Sequence, residues 1–304
     1  MSKDKEIETH PLAGFIPDEF FNEDYIGREI AGIEDLAVLE AAHAEKHNVL
    51  LYGPTGSAKT SFVYAYAASK GLPVINVACN GAADIRQLLG GWSPKEDGGY
   101  HFVPGDLVLG IMHGAVILLN EVNFMPPKIA AVLFAVLDRR RTIYLPDAAG
   151  SDIPTMIKAH PECLFVADYN PGYQGTRVLN EAFKNRFAIK IPWGYDEGVE
   201  DQLLSSTALL ELGTKLRERI DAGDLITPIP TNALMEFEDF AWNEALGFDF
   251  AVENFVAMFA PEEQQVVREV FEIHSHTIQN ELGLTDHIES EKSGSDETEE
   301  SEEA

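Results

Sequence analysis

Short apolar runs alternate with longer helical patterns along the middle of the chain. The runs are NVLLY (48–52), LPVINVA (72–78), AVILL (115–119), CLFVA (163–167) and FAIKI (187–191). A strand that is buried on both faces reads as an unbroken apolar run, and such strands occur in parallel sheets covered by helices on both sides. Residues 25–195 are therefore predicted to form an α/β domain around a parallel sheet.

The strand-like runs stop after Trp193. Helical apolar spacing takes their place in residues 199–222, 231–246 and 261–282, with glycines and prolines between these segments. The pattern predicts that residues 196–288 form a small all-helical domain.

Both ends of the chain lack these patterns. Residues 1–24 are polar with scattered prolines and phenylalanines, which predicts an extended arm, and a helical pattern follows from Glu29 to His47. Residues 289–304 are a low-complexity acidic segment. Such a segment cannot bury enough apolar surface to fold, so we expect a disordered acidic tail.

The charge balance is strongly acidic, with 51 acidic and 22 basic residues and a formal net charge of −29. A surface this negative repels nucleic-acid phosphates and anionic lipids, so neither nucleic acid nor a membrane is an expected partner. The N-terminus carries charges where a signal peptide would have an apolar core, and the chain has two cysteines. We therefore expect a cytoplasmic protein.

The first apolar run leads directly into a loop and then a helical stretch, the setting of a phosphate-binding loop. The loop residues are Gly53, Pro54, Thr55, Gly56, Ser57, Ala58, Lys59, Thr60 and Ser61. In such a loop the backbone N–H groups wrap the phosphates, the lysine reaches the β- and γ-phosphates and the hydroxyl after it binds Mg²⁺. The expected cofactors are ATP and Mg²⁺, with Lys59 and Thr60 in these two roles. The alternative is a surface turn with a solvated lysine.

Position 58 departs from the pattern G-x-x-x-x-G-K-[ST], because Ala58 stands where the second glycine belongs. If the backbone there needs a positive φ, an alanine costs on the order of 1–2 kcal/mol. The loop tolerates that cost.

Asn120 and Glu121 end the run AVILL, about sixty residues after the loop. In phosphate-loop ATPases a strand ending in an acidic pair supplies an Asp for the Mg²⁺ shell and a Glu that orients or deprotonates water. Glu121 keeps the second role, whereas Asn120 offers only a neutral carbonyl to a metal-bound water. Loss of a charge-assisted hydrogen bond costs on the order of 1–2 kcal/mol, roughly tenfold in metal affinity or rate. The sequence therefore predicts slow hydrolysis, and the alternative is an ordinary polar strand end.

Three longer segments resemble the MoxR-like branch of the AAA+ ATPases, near the CbbQ, NorQ and GvpN type and the dynein-related group. The segments are HFVPGDLVLGIMHGAVILL (101–119), NEVNFMPPKIAAVLFAVLDRRRTIYLPD (120–147) and FVADYNPGYQGTRVLNEAFKNRF (165–187). The resemblance covers about residues 26–192, and with the loop it places four motifs in the family's order. It implies a P-loop NTPase fold of the AAA+ type with a helical lid domain.

The resemblance also implies two further site residues. Asn170 would be the sensor-1 residue, hydrogen-bonded to the γ-phosphate or the attacking water, and Arg186 would be an arginine finger inserted into the neighbouring subunit's site. Both roles agree with chemistry, because ligands bind at the carboxyl ends of parallel strands and the arginine fork suits a transferring phosphoryl group. A helix-capping asparagine and a surface arginine are the alternatives. The family's sensor-2 arginine has no counterpart here, because its aligned position holds Asn232.

By the same resemblance the chain assembles into a homo-oligomeric, hexameric ring. The ring would couple ATP binding and hydrolysis to remodelling or activation of a client protein, often one with a von Willebrand factor A domain. The basic cluster Arg139–Arg141 precedes a hairpin that in these rings faces the pore or the substrate; a solvated helix end is an equal alternative. A second hypothesis is a binding-only ring component in which Asn120 has abolished hydrolysis. DNA translocation is disfavoured by the acidity.

Overall fold

The computed structural model describes residues 11–79, 85–96, 98–171 and 179–284. These residues form two compact units. The first contains the described residues up to Pro54 together with Ala58–Gly194, and the second contains Thr55–Ser57 together with the described residues from Tyr195 onward. The acidic tail predicted for residues 289–304 lies outside the described part of the chain.

The strands of the described residues all belong to the first unit. In chain order they are β1 (Glu29–Ile30), β2 (Ile33–Glu34), β3 (Val49–Tyr52), β4 (Val74–Ala78), β5 (Gly90–Pro94), β6 (Tyr100–Pro104), β7 (Val116–Asn120), β8 (Thr142–Tyr144), β9 (Met156–Lys158), β10 (Leu164–Tyr169) and β11 (Ile189–Pro192). Five of them form a parallel sheet in the order β11-β3-β10-β7-β4. These are the five strands predicted from the apolar runs.

Alternate residues of the central strands pack into different cores. On β7, Ile117 and Leu119 join one buried cluster, whereas Val116 and Leu118 join the other. Because side chains alternate across a strand, both faces of the sheet are covered, and the first four positions of β7 are all apolar for that reason.

The remaining strands form antiparallel pairs, β1–β2, β5–β6 and β8–β9. The predicted hairpin after the basic cluster is β8–β9, where Tyr144 pairs with Met156 and both side chains are exposed. Arg141 does not share that exposure. Its guanidinium lies over the Phe165 ring and donates to the carbonyl of Cys163 at 2.6 Å, so Arg141 braces the domain interior.

The helices of the first unit surround the sheet. They are α1 (Phe20–Glu23), α2 (Asp35–Ala44), α3 (Lys59–Lys70), α4 (Ile85–Leu89), α5 (Asp106–His113), α6 (Pro127–Leu137) and α7 (Glu181–Lys184), with single 3₁₀ turns at Ala13–Phe15, Val122–Phe124 and Pro146–Ala148. Helix α3 continues directly from the loop after β3, so the N-terminus of this helix lies at the candidate phosphate site.

Two expectations for the N-terminal region were wrong in detail. The arm is not wholly extended, because α1 forms and the Phe21 ring contacts Tyr64 of α3. The helical pattern from Glu29 does not begin as a helix. Ala31 and Gly32 adopt positive φ values of 53° and 80° and turn the chain between β1 and β2, so α2 starts only at Asp35.

The second unit is all helical in its described part. It contains α8 (Glu197–Leu203), α9 (Thr207–Ala222), α10 (Thr231–Trp242), α11 (Gly247–Ala257) and α12 (Gln264–Glu281) around a core that includes Phe237, Phe255 and Phe271. No described helix of either unit is long and apolar enough to cross a bilayer.

The helix boundaries differ from the predicted ones. Residues 199–222 form two helices, because the Ser206 hydroxyl accepts from the Leu209 N–H at 3.1 Å and caps a new helix. Helix α11 is an addition to the predicted helices: Gly247, which the sequence pattern places between two helical segments, is the first residue of a helix.

Candidate phosphate-binding site

The loop after β3 has the backbone of a phosphate-binding loop. A Cβ on Gly53 would lie 1.8 Å from the Trp193 carbonyl oxygen, so no larger residue fits there. Gly56 has a φ of 63°. Helix α3 then begins at Lys59 with no side-chain cap on its N-terminus. The first N–H groups of the helix are therefore available for an anionic ligand.

Ala58 adopts the left-handed conformation, with φ 65° and ψ 25°. A left-handed backbone is strained for alanine but not for glycine. Ala58 therefore keeps the loop conformation of the glycine pattern and carries the strain of that conformation.

Replacing Ala58 with Gly is therefore expected to stabilise the nucleotide-free protein. Relief of the left-handed strain outweighs the extra backbone entropy of glycine, for a net gain of about 0.5–1 kcal/mol. Thermal denaturation should show a melting temperature higher by a few degrees. The matched control is Ala68→Gly in the body of the same helix, which should lower the melting temperature. Equal losses for both variants would contradict the left-handed conformation of Ala58.

Lys59 is buried, with 6% of its surface exposed. Its Nζ donates to the carbonyl oxygens of Gly53 at 3.1 Å and Pro54 at 2.6 Å, and to Oδ1 of Asn170 at 2.7 Å. Burial lowers the pKa of Lys59, and the carboxylates of Asp168 and Glu121 oppose part of that shift. The structure thus brings together the predicted lysine and the predicted sensor residue.

Glu121 stands at the end of β7 with a left-handed backbone, φ 57° and ψ 49°. This conformation is uncommon for a residue other than glycine and occurs often at functional sites. Its N–H donates to Oδ1 of Asp168 at 2.8 Å. Asn120 precedes it and is half-buried, and its carbonyl oxygen accepts from the Cys79 N–H at 2.9 Å.

Two residues that sequence reasoning missed complete this edge of the sheet. Asp168, on β10, is 3% exposed, and burial raises its pKa to about 6, against the opposing effects of the Glu121 N–H and Lys59. Asn123 donates from Nδ2 to the Asn170 carbonyl at 3.2 Å, while its buried Oδ1 has no hydrogen-bond partner among the residues that the structure describes. An acid inside an otherwise apolar strand is the signal that could have identified Asp168.

Arg186 lies at the other end of the sheet. Asn48, immediately before β3, donates from Nδ2 to the Arg186 carbonyl at 2.8 Å, whereas Gly53 immediately follows β3. Five residue steps of extended chain separate Asn48 from Gly53, about 16 Å along the strand. The structure therefore does not bring Arg186 to the loop of its own chain.

The Arg186 side chain is held against its own subunit. Its guanidinium carbon lies 4.3 Å from the centre of the Phe134 ring, and Nε donates to the Phe134 carbonyl at 3.2 Å. A second hydrogen bond goes from Nη1 to the Ala182 carbonyl.

The second unit holds Thr55–Ser57 of the loop. Within this unit the Tyr195 hydroxyl donates to the Thr55 carbonyl at 2.8 Å, and a Cβ on Gly56 would lie 2.9 Å from Oδ1 of Asn232. The residue at the position expected for a sensor-2 arginine is thus a neutral amide beside the loop.

These residues fit a nucleotide bound with Mg²⁺. The uncapped helix end and the buried ammonium suit phosphates, and the exposed Thr60 with Ser61 adds hydroxyls at the same helix end. Mg²⁺ usually binds through one or two protein ligands together with phosphate oxygens and waters. Thr60 and Asn120 would be those ligands. In the described part of the chain no group of three or more His, Cys, Asp or Glu residues could hold a metal ion.

A five-stranded parallel sheet with a loop of this kind at the end of β3, an interior strand, defines a P-loop nucleotide-binding domain. Comparison with known proteins agrees. The AAA domain (dynein-related subfamily) matches residues 48–187. An uncharacterised protein of Staphylococcus haemolyticus is 30% identical over 214 residues, which are 60% of this chain and 79% of that protein. The chain therefore belongs to the AAA+ ATPases, in their MoxR-like, dynein-related branch.

Two named relatives share the same region. NorQ of Paracoccus denitrificans is 36% identical over 155 residues, 51% of this chain and 55% of NorQ. Midasin of Dictyostelium discoideum is 32% identical over 162 residues, 53% of this chain and 3% of midasin. The chain thus spans about half the length of NorQ and a small part of midasin.

Proposed function

We propose that this protein binds ATP with Mg²⁺ at the loop of residues 53–61 and hydrolyses it slowly. The observation that carries the proposal is the placement of Lys59, whose ammonium is buried at an uncapped helix N-terminus beside Asn170. A buried cation held by neutral oxygens is ready to exchange them for phosphate oxygens, which are stronger acceptors.

The active unit is proposed to be a homo-oligomeric ring, hexameric as in the family it resembles. Arg186 supports this proposal, because it lies about 16 Å from its own loop along β3. An arginine at that end of the sheet can complete the site of a neighbouring subunit but not its own. Hydrolysis in the ring would drive remodelling of a client protein, for which a von Willebrand factor A domain is the expected type.

A second candidate function is favoured by Asn120. If the neutral amide prevents hydrolysis, nucleotide would serve only to hold the ring together. This alternative shares the loop and Lys59 with the first proposal and differs only in turnover.

The nucleotide site itself is tested by replacing Lys59 with Met. Loss of hydrogen bonds from a charged donor is worth about 1.5–3 kcal/mol, so affinity for fluorescently labelled ATP with Mg²⁺ should fall about 10- to 100-fold. The matched control is Lys70→Met at the far end of α3, where Lys70 forms an exposed ion pair with Glu40. That variant should bind ATP like the wild type. Unchanged binding by the Lys59 variant would contradict the proposal.

A further inference from the structure

Asp168 occupies an unusual place at the carboxyl edge of the sheet. Strand β10 is otherwise buried and apolar up to this residue, and neighbouring β7 ends in Asn120. The register pairs Ala167 with Leu119, so Asp168 and Asn120 occupy the next positions along two adjacent strands. A carboxylate therefore stands on the strand next to the one that carries an amide where an acid is expected.

The carboxylate is joined to the catalytic strand end by a hydrogen bond. Oδ1 of Asp168 accepts from the N–H of Glu121 at 2.8 Å, which fixes the left-handed backbone of the candidate general base. An asparagine at position 168 could accept the same hydrogen bond through its amide oxygen. The hydrogen bond alone therefore does not explain why the residue is an acid.

The charges around Lys59 indicate what the acid adds. Among the described residues, its ammonium donates three hydrogen bonds, all to neutral oxygens, of Gly53, Pro54 and Asn170. The anionic groups that act on it are the carboxylates of Asp168 and Glu121. With Asn120 neutral, Asp168 brings this edge to two carboxylates, the number that an acidic pair on β7 would have provided.

Keeping a carboxylate in this position opposes folding. Asp168 is 3% exposed, and burial of an acid disfavours its charged form. A buried acid with a specific charge partner at a ligand site is a candidate functional residue.

We propose that Asp168 is a positioning residue that supplies the negative charge Asn120 lacks, and that it thereby strengthens Mg²⁺–nucleotide binding and orients Glu121. The inference rests on the nucleotide site proposed above. Negative charge near the metal site favours the cation, and groups beyond the direct ligands commonly change metal affinity 10- to 100-fold. In this chain the acid has moved from the end of β7 to the end of β10.

The test moves the charge back. Asp168→Asn keeps the shape of the side chain and the acceptor for the Glu121 N–H but removes the charge. The Mg²⁺ concentration for half-maximal binding of fluorescently labelled ATP should rise about tenfold, and kcat should fall about tenfold while KM for ATP at saturating Mg²⁺ stays within twofold. Adding Asn120→Asp to this variant should restore both quantities to within about threefold of the wild type. Asp221→Asn, on the exposed side of α9, is the matched control and should change neither.

Two results would overturn the inference. One is wild-type Mg²⁺ dependence and turnover in a folded Asp168→Asn variant. The other is a double variant that binds Mg²⁺ no better than Asp168→Asn, which would show that the position rather than the charge matters.

If Asp168→Asn fails to fold, the single variant Asn120→Asp decides. A third carboxylate should tighten Mg²⁺ binding less than threefold, and a tenfold gain would show that Asp168 had not supplied the missing charge. The Mg²⁺ titration needs no hydrolysis, so a protein that binds ATP without turnover still tests this inference. Unchanged ATP affinity in the Lys59→Met variant would instead refute the nucleotide site.

Discussion

Replacing Arg186 with Ala is expected to lower ATP turnover by about 10³–10⁵-fold while leaving ATP affinity within a few-fold of the wild type. The large effect follows from the role of an arginine finger, which stabilises the charge of the transition state and not the bound ground state. The small effect on affinity follows from the position of Arg186 at the amino end of β3, away from the loop of its own chain. Phosphate release and labelled-ATP binding measure the two quantities separately.

Mixing two inactive variants tests whether the finger acts between subunits. Arg186→Ala keeps an intact loop, and Lys59→Met keeps an intact finger, so a mixed ring contains complete sites between unlike neighbours. Activity should appear on mixing, and wild-type turnover per subunit should rise with protein concentration. Arg219→Ala, which removes an exposed ion pair with Asp224, is the control and should keep wild-type turnover. No recovery on mixing, with constant specific activity from a verified monomer, would rule out the intersubunit role.

The second large effect is expected from Glu121→Gln. Loss of a general base typically lowers the rate about 10²–10⁴-fold. Glutamine keeps the size and the left-handed backbone hydrogen bond to Asp168, so binding of ATP and thermal stability should change little. Single-turnover phosphate release on saturating ATP measures the chemical step directly.

The same assay separates hydrolysis from the binding-only alternative. Suppose that the wild type releases phosphate no faster than Glu121→Gln, whereas Asn120→Asp releases it faster than Glu121→Gln. Asn120 has then abolished turnover, and the nucleotide has a structural role. Turnover well above the Glu121→Gln variant supports an ATPase whose neutral Asn120 is compensated from the neighbouring strand.

The core strands were predictable because burial on both faces leaves a strong mark on the sequence. All five runs, from NVLLY to FAIKI, correspond to strands of the parallel sheet. The turn at Ala31–Gly32 was not predictable in the same way. Gly32 is a turn signal, but a lone glycine also occurs within helices, Ala31 gives no sign of its positive φ, and the helical spacing continues through both residues. Helix α11 was missed for a similar reason, since a glycine at a helix start and a glycine in a linker look alike in sequence.

At the site, motif spacing placed the loop, Lys59 and Asn170, and the structure brings the last two into contact. What sequence could not provide was the cross-strand relation between Asp168 and Glu121, which are 47 residues apart. The packing of Arg186 on Phe134, 52 residues apart, is of the same kind. Both contacts depend on which strands and helices become neighbours in the fold, and the local sequence pattern does not determine this.

The packing of Arg186 on the Phe134 ring affects what an unassembled chain can do. If Arg186 extends away from its own subunit, it loses its contact with the Phe134 ring and its hydrogen bonds to two carbonyl oxygens. That loss costs on the order of a few kcal/mol. If Arg186 is the arginine finger proposed above, an unassembled chain holds this guanidinium against its own Phe134 ring and receives no finger from a neighbour. Under the proposed function, we therefore expect an unassembled chain to bind ATP and to begin hydrolysing it only after it associates with a second copy.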